Sequence, residues 1–292
     1  MSGPSGGSGS TIAATMYVKQ ALGEQQAGKR RRRGLGSLVW WVVFLLGILY
    51  FFVPLIATLL FSLKPPPFAS AYVTTVQDSA LFGALLYSFV VAIVTVILST
   101  LLIVPTAYWV RLKLPRVRPF VEFITLLPFV VPPVILVFGL LNTYSKPPLF
   151  ITQTNFGNDV LMVCAYVVLS FPYMYRAVDT GLRAIDIKSL TEAGQSLGAG
   201  WFTILFRIIL PNLRVAVLAG AFLTVAIVVG EFTIAIFLGR QTFAPFLAIL
   251  GDHDPYEQAA VTLVSFGITW IAMGLIGFVG RGSRTRVVAG GH

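Results

Sequence analysis

Six stretches of this chain are apolar over a length that a lipid bilayer accommodates, and they decide its solvent before any motif is considered. They run from Leu38 to Phe61, Leu81 to Val110, Pro119 to Leu141, Val160 to about Arg176, Ile208 to about Val229 and Gln258 to Val279. Crossing the hydrocarbon takes roughly 20 helical residues, whereas aqueous cores are built from short periodic stripes. With 57% hydrophobic and 11% charged residues, the chain also departs from soluble domains, of which about a quarter of the residues are charged. The expected fold is an all-α integral membrane protein with about six transmembrane helices. The first run is too long for a cleavable signal core and has no convincing cleavage site, so it reads as an uncleaved span.

The charges indicate how the spans are threaded. A formal net charge of +10 would suggest nucleic acid as the partner of a soluble protein. Here the basic residues flank apolar runs, as the positive-inside rule requires, and no nucleic-acid partner is expected. With the amino terminus in the cytosol, Lys19, the run Lys29 to Arg33, Arg111, Lys113, Arg116, Arg118, Arg176, Arg183, Lys188, Arg207, Arg214, Arg281, Arg284 and Arg286 all fall on the cytosolic side. Only Lys64, Lys146 and Arg240 fall outside, where Asp78, Asp159, Asp252, Asp254 and Glu257 gather. Both termini are therefore placed in the cytosol. Lys64-Pro65-Pro66-Pro67 and Lys146-Pro147-Pro148 break helices and suit extramembrane loops. The single cysteine, Cys164, excludes an intramolecular disulfide.

The cytosolic connection from Asp179 to Arg207 is the longest polar-interrupted stretch on that face. Ser189-Leu190-Thr191-Glu192 fits a capping box, which predicts that a short helix starts there. Leu190, Ala193, Gly194 and Leu197 then share one stripe, with two very small residues at its centre. Gly198-Ala199-Gly200 ends the helix, and Pro211 marks the entry to the fifth span. From patterning alone the helix is either an amphipathic connector lying on lipid or a docking element.

Glu192-Ala193-Gly194, three residues, Gly198, nine residues, Ile208, one residue, Leu210-Pro211 closely resembles the EAA signature of binding-protein-dependent ABC importer permeases. Ser88 through Thr95 to Pro105-Thr106-Ala107-Tyr108, Leu127-Pro128 with Val131-Pro132-Pro133, and Phe171-Pro172-Tyr173 look like the same family, and the resemblance covers roughly Ser37 to Arg281. It implies a coupling helix seated in a groove of a separate cytosolic ATPase, with Glu192, Ala193, Gly194, Leu197 and Gly198 at the docking core and Leu210-Pro211 leading back into the membrane. Gly194 stands where the family usually has alanine, a change that loosens a helix by up to ~1 kcal/mol. The implied organisation is a flexible cytosolic tail with a basic run over 1–36, a transmembrane permease domain over 37–281 and a cytosolic tail over 282–292. The implied setting is the plasma (inner) membrane of a bacterium or archaeon. The implied partners are ATP-binding subunits carrying ATP and Mg, a second permease subunit, identical or different, and an extracytoplasmic solute-binding protein. No catalytic residue, metal or cofactor is assigned to this chain.

Two features bear on the path of the solute. Pro128, Pro132 and Pro133 interrupt a span and free carbonyls that lipid cannot satisfy, so this part faces protein or a watery cavity; a kink without a ligand role accounts for them equally well. Glu231 follows Gly230 at the outer end of the fifth span, where an acid either lines the path or reaches outward. Gly230-Glu231-Phe232-Thr233 to Leu238-Gly239 with Phe243-Ala244-Pro245 is similar to permeases grouped with the polyamine importers and their relatives for phosphonates, ferric ion and thiamine. A polyamine such as spermidine or putrescine is the cargo this suggests, since an acid suits a polycation.

Other classes fit less well. Neither His253, between Asp252 and Asp254 in an outer loop, nor the terminal His292 makes a Ser/His pair or metal cluster within a span, which argues against an intramembrane enzyme. Without a Walker-type phosphate loop the chain does not itself hydrolyse ATP. A secondary carrier or channel would leave the signature around Glu192 without a purpose, and a membrane scaffold is opposed by that signature alone.

Overall fold

The computed structural model describes residues 39–64, 66 and 68–281, the side chains of 269 and 272–281 excepted. The tails expected over 1–36 and 282–292, with the basic run Lys29 to Arg33, lie outside the described residues. Two units are resolved, one ending at Phe61 and one from Ser62 onward. The described part of the first is the helix α1 (Val39–Ser62) up to Phe61. Within it the Thr58 hydroxyl donates to the Pro54 carbonyl at 2.8 Å.

The second unit begins with a short helix, α2 (Ser70–Gln77), and a long one, α3 (Ser79–Leu112), whose first turn is capped by Asp78 accepting from the Ala80 amide at 2.8 Å. The expected third span is two helices, α4 (Arg118–Val130) and α5 (Pro133–Tyr144), bent by 94° at the break. Proline chemistry causes this. Pro132 forces the preceding Val131 out of helical geometry, to ψ 113°, and Pro133 then occupies the first turn of the next helix, where its missing N–H costs nothing.

The fourth span, α6 (Asn155–Arg183), is longer at both ends than its apolar run suggested, because Thr154 caps it from outside the run and Arg183 extends it to the far end. It is followed by α7 (Ile187–Ser196) and by α8 (Trp201–Asn212), which bends by 76° into α9 (Arg214–Gly230). The straight helix of the expected fifth span thus starts at Arg214. Ile208 to Asn212, including Pro211, close the helix before the bend, so Pro211 lies one turn ahead of Arg214, where α9 begins. A five-residue helix α10 (Thr233–Phe237), a helix α11 (Phe243–His253) where an outer loop was expected, and α12 (Pro255–Arg281) complete the chain.

By length and composition α1, α3 and α6 can each cross a membrane, and the bent pairs α4 with α5 and α8 with α9 raise the number to five if each is one span. The 27 residues of α12 have the length of a sixth. At the centre α6 packs against α3, α4 and α9. Its two halves anchor two cores. Toward its end at Arg183, Met174, Tyr175, Val178 and Leu182 meet Ile103, Val104, Ala107 and Tyr108 of α3 together with Ile187, Ile204, Leu205 and Ile209. Toward its start, Leu161, Met162, Ala165 and Tyr166 meet Val91, Ala92, Val137, Val228, Ile234 and Ala235.

At the Arg183 end of α6 one carboxylate gathers three guanidinium groups. Asp179 Oδ1 accepts from Arg111 at 3.2 Å, while Oδ2 accepts from Arg118 at 3.1 Å and from Arg183 at 2.7 Å. Arg118 also holds Glu122 at 2.9 Å. The side chain of Asp179 is only 12% exposed, so the ends of α3, α4 and α6 are tied by one buried charge. Asp179→Asn is expected to lower stability by on the order of 2 kcal/mol, short of the full buried-pair figure because two of the arginines remain hydrated. A thermal melt of the detergent-purified chain reads this, and Arg183→Ala should move the midpoint much less.

Candidate functional site

The α7 segment is built differently from its sequence pattern. Its cap is Asp186, three residues before the expected Ser189. The Asp186 carboxylate accepts from the Ser189 amide at 3.2 Å and the Ser189 hydroxyl at 2.7 Å, so Ser189 serves the cap and lies inside the helix. Glu192 instead points outward, 3.9 Å from Lys188. These hydrogen bonds from the Ser189 hydroxyl and amide hold the Asp186 carboxyl below its usual value.

The buried stripe of α7 is Ile187, Thr191 and Gly194. The Thr191 hydroxyl lies 3.0 Å from that of Tyr108 on α3. A Cβ at Gly194 would come within 3.0 Å of Ile204 Cγ1 and 3.1 Å of Ile208 Cδ1, so this glycine is where α7 closes on α8. That corrects its place in the expected docking core, since Gly194 faces inward. Glu192, Ala193, Leu197 and Gly198 are exposed, with Leu197 at 88%. The helix ends as expected: Gly198 adopts φ 75°, and the Ala199 amide reaches back to the Gly194 carbonyl at 3.0 Å.

Within α8, Ile204–Ile209 are wound as a π-helix. Bonding over five residues places Ile204 and Ile209 on one face, and both are buried with Leu205 in the core below α7. Leu210 packs beside that core and Pro211 is exposed. Pro211 supplies no N–H to continue the ladder, and the Asn212 side chain donates to the Ile208 carbonyl at 2.7 Å. On the other face Trp201 meets Trp109 at 5.7 Å and Phe202 at 4.7 Å.

The path candidates converge elsewhere. Pro128, Pro132, Pro133 and Glu231 line one cleft of about 280 Å³ together with Leu169 and Tyr173. Phe129 sits edge-on to Tyr173 at 5.3 Å. Glu231 lines this cleft while its carboxylate caps α10, accepting from the amides of Thr233 at 2.9 Å and Ile234 at 2.9 Å and from the Tyr166 hydroxyl at 3.1 Å. Both oxygens accept from neutral donors at the start of α10, which fixes the carboxylate in place at the cleft.

Sequence reasoning missed Asp186, Tyr166 and Asp179, and it passed over the pairing of Arg240 with Asp159, at 2.6 Å. A signal for that pair existed: Arg240 was one of three basic residues on the side where the acids gather, and such a cation at a membrane boundary calls for a partner.

Asp186→Ala should fray the first turn of α7, visible as faster amide exchange over 187–190, with α6 unchanged. Because the folded carboxyl is depressed, the cap is fully present at neutral pH. It is lost progressively as pH falls from the ordinary aspartate value, about 3.9, through the lower folded one. Exchange over 187–190 should therefore rise only under that acid condition.

A family model described as the binding-protein-dependent transport system inner membrane component matches residues 103–285, more than half of the chain. A probable molybdenum ABC transporter permease of Haloferax volcanii is 29% identical, the match covering 70% of this chain and 77% of that protein. A spermidine/putrescine permease of Haemophilus influenzae is 26% identical over 64% of this chain and 69% of its own length. A putative ferric permease from the same organism is 33% identical over 48% of this chain but only 21% of that protein. The match to a solved amino acid ABC transporter has a TM-score of 0.48 at 18% identity, covering 72% of this chain and 97% of that one. With α7 and its glycine-closed contact lying inside the matched region, the chain belongs to the binding-protein-dependent transport system inner membrane component family, the permease subunits of ABC importers.

Proposed function

We propose that this chain forms the translocation path of the importer and that α7 docks on a separate ATPase subunit, which carries the ATP and Mg. The observation that carries the reading is the outward face of α7, where Glu192, Ala193, Leu197 and Gly198 are exposed beside a helix that is itself seated on the core through Gly194. A large apolar residue left in the open at 88% exposure on a well-anchored helix suits a partner's groove. The end of the molecule bearing α7 is then cytosolic, in agreement with the basic residues gathered there, and the far end meets a solute-binding protein. A second permease subunit, identical or different, completes the path.

The cargo is assigned to the delivering protein. The relatives are named for molybdenum, ferric ion and spermidine/putrescine. Glu231, on which the polyamine reading rested, has both oxygens engaged within the fold. Those donors are neutral and leave the carboxylate its charge at the cleft, so a polyamine stands as one option beside the other cargos for which the relatives are named.

Affinity purification of the tagged chain in mild detergent with its ATPase tests the docking. Leu197→Asp should abolish recovery of the ATPase while the chain still inserts and elutes as a single species, because the side chain touches little else. Undiminished recovery would sink the assignment of this face. Gly194→Leu should also reduce recovery, by lifting α7 off Ile204 and Ile208, whereas Gly194→Ala needs its neighbours to yield only a few tenths of an ångström and should retain it.

A further inference from the structure

The segment from Glu231 to Thr242 is held at both of its ends by α6. At the first end the Tyr166 hydroxyl donates to Glu231 Oε2 at 3.1 Å, while the same carboxylate caps α10. At the second end Arg240 grips Asp159: its Nε is 2.6 Å from Oδ1 and its Nη2 donates to Oδ2 at 3.0 Å. Nη1 of the same guanidinium donates to the Asn155 side chain at 3.1 Å. Tyr87 of α3 closes the network. It accepts from Arg240 Nε at 3.0 Å, donates to Asp159, and presents its ring to the guanidinium at 5.4 Å.

Asp159 and Tyr166 are seven residues, about 10 Å, apart on α6 and share a face, so the two grips are two helical turns apart on one rod. Between them Ile234, Ala235 and Leu238 pack against Leu161, Met162 and Ala165. Gly239, at φ 67°, turns the chain so that Arg240 can reach back. At its other end α6 meets Asp179 and its three arginines, then leads within a few residues into α7. Its 29 residues span about 44 Å.

We propose that Arg240 and Asp159 are positioning residues that clamp the segment Glu231–Thr242 onto α6, so that a displacement of α7 is carried along α6 and moves this segment, with Glu231 at its cleft, as one body. The proposal rests on the reading of α7 as the ATPase contact. A bidentate ion pair supported by a tyrosine and an asparagine resists shear better than apolar packing alone, since both guanidinium and carboxylate have fixed fork geometry. The prolyl break at Val131–Pro132 lines the same cleft; α5 beyond it packs on the clamped segment, Phe138 meeting Phe237 at 4.9 Å, so the relative motion that opens or closes the path falls on the α4 side of the break.

Spin-label distances in the full complex with its ATPase test this in a Cys164→Ser background. One pair, Phe156→Cys with Gln241→Cys, uses exposed positions on either side of the clamp. The other, Phe156→Cys with Val130→Cys, crosses the cleft. Trapping with ATP and vanadate should shift the 156–130 distance and leave the 156–241 distance unchanged. In Arg240→Ala the 156–241 distribution should broaden and shift on trapping; Arg240→Lys, which keeps the charge and loses the fork, gives a second variant should the first fail to insert. A shift of the 156–241 distance with the clamp intact overturns the proposal, as does an unchanged distribution in the Arg240 variants or a trapped complex in which neither pair moves. Failure of any ATPase to co-purify would strike the α7 reading instead. The clamp would then be judged on the isolated chain, where broadening by Arg240→Ala supports it and an unaltered distribution refutes it.

Discussion

In hydrocarbon there is no water to take up a freed amide or carbonyl, and every break in this structure is shaped by that constraint. The chain breaks its helices at three informative places and supplies a local substitute at each. Between α4 and α5 the residues at the break are prolines, so the donors that would have been orphaned do not exist. Where α8 ends, the Asn212 side chain bonds the Ile208 carbonyl. Between α9 and α10 the Glu231 carboxylate takes the amides that begin the new helix. An acid in an apolar run thus has a structural explanation that does not depend on cargo.

The same solvent governs the charges. Ionised groups near the bilayer are costly alone and are found here in compact sets. Asp179 neutralises part of a cluster of three arginines where α3, α4 and α6 end, and Asp159 answers Arg240 at the opposite end of α6. Because α6 contributes the carboxylate in both sets, it is the member to which the other elements are referenced. Its apolar residues do likewise, one half in each core.

The α7 segment shows how a family signature maps onto packing. Its small residue at 194 admits the isoleucines of α8, and the π-helical winding of Ile204–Ile209 turns those isoleucines toward it. Gly198 lets the chain leave the helix at positive φ and return along the face of the molecule. What remains outward is a short strip ending in Leu197. The signature therefore combines residues that seat the helix with residues that are free to meet a partner, and its spacing does not distinguish the two.

Several features were legible in the residues themselves. The apolar runs determined the all-helical membrane fold, since backbone satisfaction leaves a 20-residue apolar segment little alternative. The spacing from Glu192 to Pro211 identified the family, and Gly198 marked where α7 ends. Pro132 and Pro133 marked the break beside the cleft, because a missing N–H acts locally, whereas Pro128 lies inside α4 without ending it. Tertiary structure alone decided the rest. Asp186 rather than Ser189 caps α7 because two candidate caps in one segment are separated only by where the chain leaves α6. Gly194 faces inward and Leu197 outward because the stripe is read against α8, whose π-winding no periodicity announces. Glu231 caps a helix, and Arg240 finds Asp159 some eighty residues away in sequence, because such pairings depend on which helices lie side by side, and that is settled by packing across the whole bundle.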